Sequence, residues 1–337
     1  MGQAFASSSG SIEPDSCVLC DGRAMRNVSQ SALLLAVALL LAVSGLAGTL
    51  EPTPKQVEAY GSLDSSQPVA LIKAYRVRNE AEHRAFLVES AAWVKRLQGR
   101  RVYVGSLAGA DSAIPGMGFD TLVVDEFPDR MEALMAYNQA LALHPRAHDD
   151  VRILVAQPAS RWIGIGRWMS RLARAVAGPT IRRARPLPEL SGAGGAGIHV
   201  LEDLLSGPHE RDTLAMLNLN AYRKYARYPE TTPPDQADVS GEEAYSRYAR
   251  NALWQVLRRG GYALWAGKAE MQLVGPEDGI WATPWDDVAL VIYPSRLELR
   301  DLLNDPDYQK GLPDRSAGIS RALVIPGTPW PAFDPER

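Results

Sequence analysis

Apolar residues recur along this chain either at alternate positions or at every third to fourth position, and the two periods predict its strands and helices. After residue 65, runs rich in β-branched residues predict strands at 69–75, 102–107, 121–127 and 151–156. The spacing of Phe86, Trp93 and Leu97 predicts a helix over 80–98, which Gly99 ends. A second helix is predicted to begin near Asp129, so the order of elements is β, α, β, β, α, β.

The second half of the chain repeats this order and its residues. The Phe-Pro-Asp-Arg run at 127–130 corresponds to Tyr-Pro-Ser-Arg at 293–296, 166 residues later, and Ala-Tyr-Arg recurs at 74–76 and 221–223. Phe86, Gly99 and Gly105 correspond in the same way to Tyr248, Gly261 and Gly267. The repeated strands are predicted at 215–220, 262–270, 288–293 and 320–325, and the repeated helices at 242–259 and 296–303. The offset changes only where loops are expected, which is typical of a duplicated domain.

This order predicts an α+β fold made of two tandem ferredoxin-like βαββαβ units, over 66–158 and 212–326. In each unit an antiparallel four-stranded sheet carries both helices on one face, which leaves its other face uncovered. We expect the two sheets to bury these faces against each other as an intrachain dimeric α+β barrel.

The second unit resembles the DUF1330 family of the dimeric α+β barrel superfamily. The resemblance rests on Met-Leu-Asn-Leu at 216–219, Leu-Trp-Ala-Gly-Lys-Ala-Glu at 264–270, the 293–296 run and Asp-Pro-Asp-Tyr-Gln at 305–309. The first unit resembles a degenerate partner, since Leu71 and Lys73 stand where the second unit has Asn218 and Asn220. The superfamily includes cofactor-free monooxygenases, haem enzymes and members without an assigned reaction, so the resemblance implies a fold rather than an activity.

An apolar run precedes both units. The 24 residues between Arg26 and Glu51 carry no charge, and residues 32–43 are all Ala, Leu or Val. We expect residues 1–30 to be disordered, unless translation starts at Met25, and 31–50 to be a transmembrane helix or a signal segment. The flanking arginines favour an orientation with the folded part outside the cytoplasm. The predicted location is therefore a single-pass membrane protein with membrane lipid as a partner, or a secreted or periplasmic protein if the segment is cleaved.

The connection at 159–211 is predicted to be a basic amphipathic helix followed by a glycine-rich linker. Between residues 151 and 188 there are eight arginines and no acidic residue. Arg167, Arg171 and Arg174 lie on one side of the predicted helix, opposite an apolar stripe of Trp162, Ile165, Trp168, Met169, Leu172 and Val176. We expect the stripe to pack on one of the units, with Leu172 buried; the alternative is that the helix lies on an anionic bilayer. Gly192, Gly194 and Gly197 match a dinucleotide fingerprint, but no strand leads into them.

Composition removes several classes of function. The chain has 337 residues, with 36 Lys and Arg against 39 Asp and Glu, so charge gives no case for nucleic-acid binding. Both cysteines, Cys17 and Cys20, precede the apolar run, which excludes a disulfide framework in the folded part. His144 and His148 have a spacing typical of metal ligands, but Pro145 interrupts it, so we expect a solvent-facing helix end. No metal and no cofactor is expected.

Polar residues on the strands of the second unit are the remaining candidates for a site. Asn218 and Asn220 alternate onto one face of its first strand, and Trp265 and Glu270 belong to its second. Buried asparagines need partners, so they either line a ligand pocket between the sheets or form a structural polar network. The candidate ligand-binding residues are Asn218, Asn220, Tyr248, Trp265, Glu270 and Arg296. Glu270 is the candidate general base, and Arg296 either holds an anion or lies in a surface turn.

These observations leave three classes of function open. The first is a membrane-associated module that binds a small molecule or serves as an accessory protein. The second is a cofactor-free enzyme, monooxygenase-like or isomerase-like, that acts on a small organic substrate. The third is a structural partner of an envelope protein.

Overall fold

The computed structural model describes residues 50–107, 118–159, 165–177, 209–233 and 237–331. The eight strands of these residues are β1 (Val69–Val77), β2 (Arg100–Leu107), β3 (Thr121–Phe127), β4 (His148–Pro158), β5 (Leu214–Tyr222), β6 (Tyr262–Val274), β7 (Asp287–Tyr293) and β8 (Ile319–Pro329). Their helices are α1 (Pro54–Gly61), α2 (Glu80–Arg96), α3 (Arg130–Leu141), α4 (His144–Ala147), α5 (Gly166–Ala177), α6 (Gly241–Arg258), α7 (Arg296–Leu303), α8 (Pro306–Gln309) and α9 (Leu312–Gly318). The predicted disordered segment at 1–30, nearly all of the predicted membrane segment at 31–50 and the glycine-rich linker lie outside the described residues.

The helices begin where the sequence supplies capping side chains. Asn79, Asp129 and Ser240 each accept a hydrogen bond from a backbone N–H in the first turn of α2, α3 and α6. Thr53 starts α1 with a capping box that Gln56 completes. Among the described residues, no helix is both long and apolar enough to cross a membrane.

The end of the first helix is built alike in both units. A Cβ atom at Gly99 would lie 2.7 Å from the carbonyl oxygen of Glu126, and one at Gly261 would lie 2.8 Å from that of Ile292. These approaches are closer than any side-chain carbon tolerates, so glycine is required where the chain turns against its neighbouring strand. The matched glycines therefore mark one turn that was duplicated with the fold.

The eight strands form one closed antiparallel barrel in the order β1-β3-β2-β8-β5-β7-β6-β4. Within each unit the order is that of a ferredoxin-like sheet, and the units join where β2 pairs with β8 and β4 pairs with β6. The predicted mixed α+β fold and its intrachain barrel are thus present. The two sheets do not simply face each other, however, because hydrogen bonds along both pairs of edges make them continuous.

Alternate positions along a strand contribute side chains to two different cores, the barrel interior and the layer under the helices. On β1, Ala70, Ile72 and Ala74 point into the barrel, whereas Leu71 and Tyr75 pack under the helices of the first unit. On β5, Leu217 and Leu219 belong to the barrel interior and Met216 to the layer under the helices of the second unit. β1 and β5 are therefore buried on both faces, and the parity of a position decides which core it joins.

Helix α5 does not pack against the barrel through its apolar stripe. Its buried residues are Ser170 and Ala173, while Leu172 is 51% exposed and Trp168 is 63% exposed. The expectation of an inward apolar stripe with a buried Leu172 is therefore wrong. Small residues allow the helix to approach closely: a Cβ atom at Gly166 would lie 2.9 Å from the carbonyl oxygen of Ala263. Ser170 and Ala173 therefore face the barrel, and the arginines lie beside this contact, with Arg171 and Arg174 exposed.

Candidate functional site

The two candidate asparagines of β5 face the helix layer and not the barrel interior. Asn220 is 2% exposed, and its Nδ2 donates hydrogen bonds to Asp287 Oδ1 at 2.7 Å and to the Tyr245 hydroxyl at 3.1 Å. Tyr222 donates its hydroxyl to the other carboxylate oxygen of Asp287. Burial raises the pKa of Asp287 above its ordinary value, although the hydrogen bonds from Tyr222 and Asn220 oppose the shift. The group is a polar network whose members satisfy one another.

Asn218 and Tyr248 belong to the same layer between the sheet and its helices. Asn218 Nδ2 lies 3.0 Å from the carbonyl oxygen of Met216, so its partner is the backbone of its own strand. The Tyr248 hydroxyl is 2.9 Å from that of Tyr308, and its ring centre is 5.4 Å from that of Tyr245. Asn218 is therefore satisfied within the sheet, whereas Tyr248 links α6 to α8.

Glu270 lies elsewhere and is already paired. Both of its carboxylate oxygens accept hydrogen bonds at 2.7 Å from Nη2 of Arg130, whose side chain is 1% exposed. Arg130 also donates through Nε to the carbonyl oxygen of Asp64, and the Tyr60 hydroxyl donates to the Arg130 carbonyl. Glu270 thus neutralises a buried cation and ties β6 of the second unit to the first. Its predicted role as a general base has no support in this arrangement.

Trp265 and Arg296 are also separated from the asparagines. Trp265 belongs to the barrel interior, where its Nε1 donates to Glu126 of the first unit at 2.6 Å. Asp287 is the first residue of β7, whereas Arg296 begins α7 after the other end of that strand. The two ends of β7 are six positions apart, roughly 20 Å at the usual rise per residue. The pocket between the sheets that was predicted to unite the candidates is therefore not formed.

The first unit carries a different polar group at the equivalent positions. His83 stands where the second unit has Tyr245, and Thr121 stands where it has Asp287. His83 Nε2 lies 3.0 Å from Thr121 Oγ1, His83 Nδ1 lies 2.8 Å from His148 Nε2, and His148 Nδ1 lies 3.1 Å from His144 Nδ1. All three histidines are buried, so the expectation that His144 and His148 face solvent is wrong.

The histidines form a hydrogen-bonded chain with neutral rings. Burial lowers the pKa of His83 to about 4, that of His144 to about 3 and that of His148 to about 2. Within the ranges that the structure describes, no group of His, Cys, Asp or Glu is arranged to hold a metal ion. The short spacing of His144 and His148 pointed to this cluster in the sequence. Nothing in the sequence pointed to its third member, His83, which belongs to α2.

A cavity of about 460 Å³ lies between α5 and one end of the barrel. It opens where β2 leaves β8, because these strands pair only over Gly105–Leu107 and Gly327–Pro329. Arg167, Arg171 and Arg174 of α5 line one side of the cavity. The opposite side is lined by aromatic and aliphatic side chains, among them Tyr103, Tyr262, Leu264, Ile292 and Trp330.

The arginines adapt this cavity to a polar ligand. The Tyr103 hydroxyl does not contribute, because it is buried beside Gly105 and Gly327, which do not line the cavity. Arg171 and Arg174 form no ion pair with another described residue. Arginine guanidinium groups bind carboxylates and phosphates in bidentate geometry, so the cavity joins an anion site to an apolar wall.

The arginines could be identified in the sequence, but this site could not. An apolar stripe usually packs inward, which predicts that the arginines face solvent. Ser170 and Ala173 were the available signal, since small residues beside the arginines permit that side of the helix to approach the sheet.

Comparisons with known proteins leave the identity of the chain open. No protein-family model matches it, and no curated protein matches it in sequence. A solved structure of a protein of unknown function from Rhodopseudomonas palustris is 28% identical, with 42% of this chain and 98% of that chain covered and a TM-score of 0.36. A dye-decolorizing protein from V. cholerae is 11% identical over 82% of this chain and 98% of its own, with a TM-score of 0.40. A mutant chlorite dismutase from Candidatus Nitrospira defluvii, solved with cyanide, is 9% identical over 84% and 98%, with a TM-score of 0.38.

These similarities carry no argument about activity at such TM-scores. The closed barrel is shown by the strand order of this chain alone. Any function must therefore be argued from the cavity and its residues.

We expect Asn220→Leu to lower the free energy of unfolding by about 1 to 3 kcal/mol, because it removes the amide that partners the buried Asp287 carboxylate. Asn218→Leu is the matched control, since Asn218 donates only to backbone carbonyl groups, and it should cost less. Urea denaturation of both variants measures the difference. Equal losses would mean that the network around Asp287 is not what holds Asn220 in the fold.

The histidine chain predicts a loss of stability in acid. The unfolded chain takes up its histidine protons near pH 6.5, whereas the folded chain resists protonation down to about pH 4 at His83 and lower at the other two. Stability is thus complete above pH 6.5 and falls as the pH drops toward 4, by up to about 1.4 kcal/mol per pH unit for each histidine.

Urea denaturation between pH 7.5 and pH 5 tests this expectation. His144→Gln should reduce the pH dependence by the contribution of one proton. The same pH dependence in the variant and the unchanged chain would contradict the assignment.

Proposed function

We propose that this protein binds a small organic anion, with a carboxylate or phosphate group and an apolar body, in the cavity between α5 and the barrel. The observation that carries the proposal is the placement of Arg167, Arg171 and Arg174 opposite an aromatic and aliphatic wall. A volume of about 460 Å³ lies within the range typical of small-molecule sites. The anionic group would meet the arginines and the apolar body would meet Leu264 and Ile292.

The composition of the cavity favours binding over acid–base catalysis. Its lining includes no carboxylate, imidazole or thiol among the described residues, so it offers none of the usual general bases. The monooxygenase-like or isomerase-like alternative would need such a group, or a cofactor, beside the ligand. A binding or accessory role is therefore the better proposal.

Two further parts of the proposal rest on the sequence. We assign the second unit to the DUF1330 family on the runs at 216–219, 264–270 and 293–296. We also place the protein at a membrane, held by the segment 31–50 with the barrel outside the cytoplasm, or released there after cleavage.

A reporter enzyme fused after Arg337 tests the location. The charge asymmetry around the apolar segment predicts activity of a reporter that works only outside the cytoplasm. A matched fusion to a chain in which Leu39 and Leu40 are replaced by Arg should lose that activity. Cytoplasmic reporter activity together with soluble fractionation of the unchanged chain would contradict the placement.

Titration calorimetry with octanoate tests the anion site. Octanoate should bind the full chain, and the double variant Arg171→Gln with Arg174→Gln should weaken binding at least about tenfold, because each charge-assisted hydrogen bond contributes about 1.5 to 3 kcal/mol. Arg96→Gln, on the exposed end of α2, is the matched control and should bind normally. Octanol, which lacks the charge, should bind more weakly.

The opposite pattern would overturn the proposed function. If octanol binds as well as octanoate, or if the double variant retains full affinity, the arginines do not recognise an anion in this cavity.

A further inference from the structure

The outward side of α5 is a continuous apolar stripe that no described residue covers. It consists of Ile165, Trp168, Met169, Leu172 and Val176, which we call the α5 apolar face. Val176 is 74% exposed and Trp168 is 63% exposed. Single exposed apolar residues are ordinary on protein surfaces, but five on one side of one helix are typical of an interaction surface.

A second helix adds to this surface. The hydroxyl of Ser170 donates to the carbonyl oxygen of Leu257 at 3.3 Å, so α5 and α6 pack side by side. Helix α6 exposes Leu253 and Trp254, and the exposed Arg250 precedes them by three and four residues on the same side of the helix. The surface thus carries two tryptophans and a neighbouring cation.

Two exposed arginines border the surface, Arg171 on α5 and Arg250 on α6. Arg171 is exposed and lies one helical turn from Trp168. An apolar helix face with tryptophan, bordered by arginine, is typical of helices that lie in the interface of an anionic bilayer. An acidic protein partner would match the charge but leaves the length of the apolar stripe unexplained.

We infer that the α5 apolar face docks on the surface of an anionic lipid bilayer, with Trp168 and Trp254 at the level of the headgroups. This inference goes beyond the proposed anion binding and does not depend on it, because none of the apolar side chains of the α5 apolar face lines the cavity; Arg171 alone borders both. It holds whether the segment 31–50 remains as an anchor or is cleaved.

Hydrogen exchange of the full chain tests the inference locally. The chain is mixed with vesicles of phosphatidylcholine alone or with vesicles that contain about one part phosphatidylglycerol to three parts phosphatidylcholine. Amides over 166–177 and 250–258 should exchange at least about fivefold more slowly with the anionic vesicles, whereas those of α2 should not change. The local readout separates docking of α5 from insertion of the N-terminal segment.

The double variant Trp168→Ser with Leu172→Ser should lose this protection and keep its melting temperature, since both side chains are exposed. Val88→Ser is the matched control, because Val88 is an equally exposed apolar residue on α2, 65% exposed, and it should keep the protection. Octanoate affinity should be normal in both variants.

Three results would overturn the inference. Equal protection with neutral and anionic vesicles would remove the role of charge. Protection that survives in the double variant would place the contact elsewhere. Protection without vesicles that grows with protein concentration would show that the surface joins two copies of the chain. Loss of octanoate binding alone would instead count against the cavity and leave the docking surface standing.

Discussion

The hydrogen bonds that join β2 to β8 and β4 to β6 are the constraint on which the rest of this structure depends. They convert two ferredoxin-like sheets into one closed barrel, so the described strands leave no open edge. Closure also buries both faces of most strands, one in the barrel and one under helices. The β2–β8 pairing covers only three residue pairs, and the cavity is lined by residues of β2 and β8 next to it.

Both units place a polar group under the first helix, with different chemistry at matched positions. The second unit has Asn220, Tyr245 and Asp287, and the first has a histidine bonded to Thr121. Lys73, which takes the place of Asn220, instead forms a buried ion pair with Asp125, and Arg101 pairs with the same carboxylate. The duplication preserved the location of these buried polar groups while their side chains diverged. Their mutual satisfaction indicates that they specify packing.

The order of elements and the duplication could be predicted from the sequence because matched glycines and strand patterns depend on local rules. Gly99 and Gly261 carried this information, since both stand where a neighbouring backbone excludes any side chain. The face on which Asn218 and Asn220 lie could not be predicted, because a strand buried on both sides shows no alternation of polar and apolar residues. Glu270 pairs with Arg130 across 140 residues, a contact that only the closed barrel creates.

The orientation of helix α5 could not be predicted from the sequence either. Its sequence predicted an amphipathic helix, but amphipathicity does not say which side meets the protein. The small residues Ser170 and Ala173 decide it here, because they allow the helix to approach β6 and α6, with the basic side next to this contact. The cavity, its arginines and the exposed apolar face all follow from that orientation.

The orientation of α5 can be measured directly by the reaction rate of single thiols. In a chain with Cys17→Ser and Cys20→Ser, the thiol introduced by Leu172→Cys should react quickly with a maleimide, and the one introduced by Ser170→Cys should react slowly. Octanoate should leave the first rate unchanged, because Leu172 lies away from the cavity. A fast reaction after Ser170→Cys with protection after Leu172→Cys would show that the apolar stripe packs inward, and would contradict both the cavity and the docking surface.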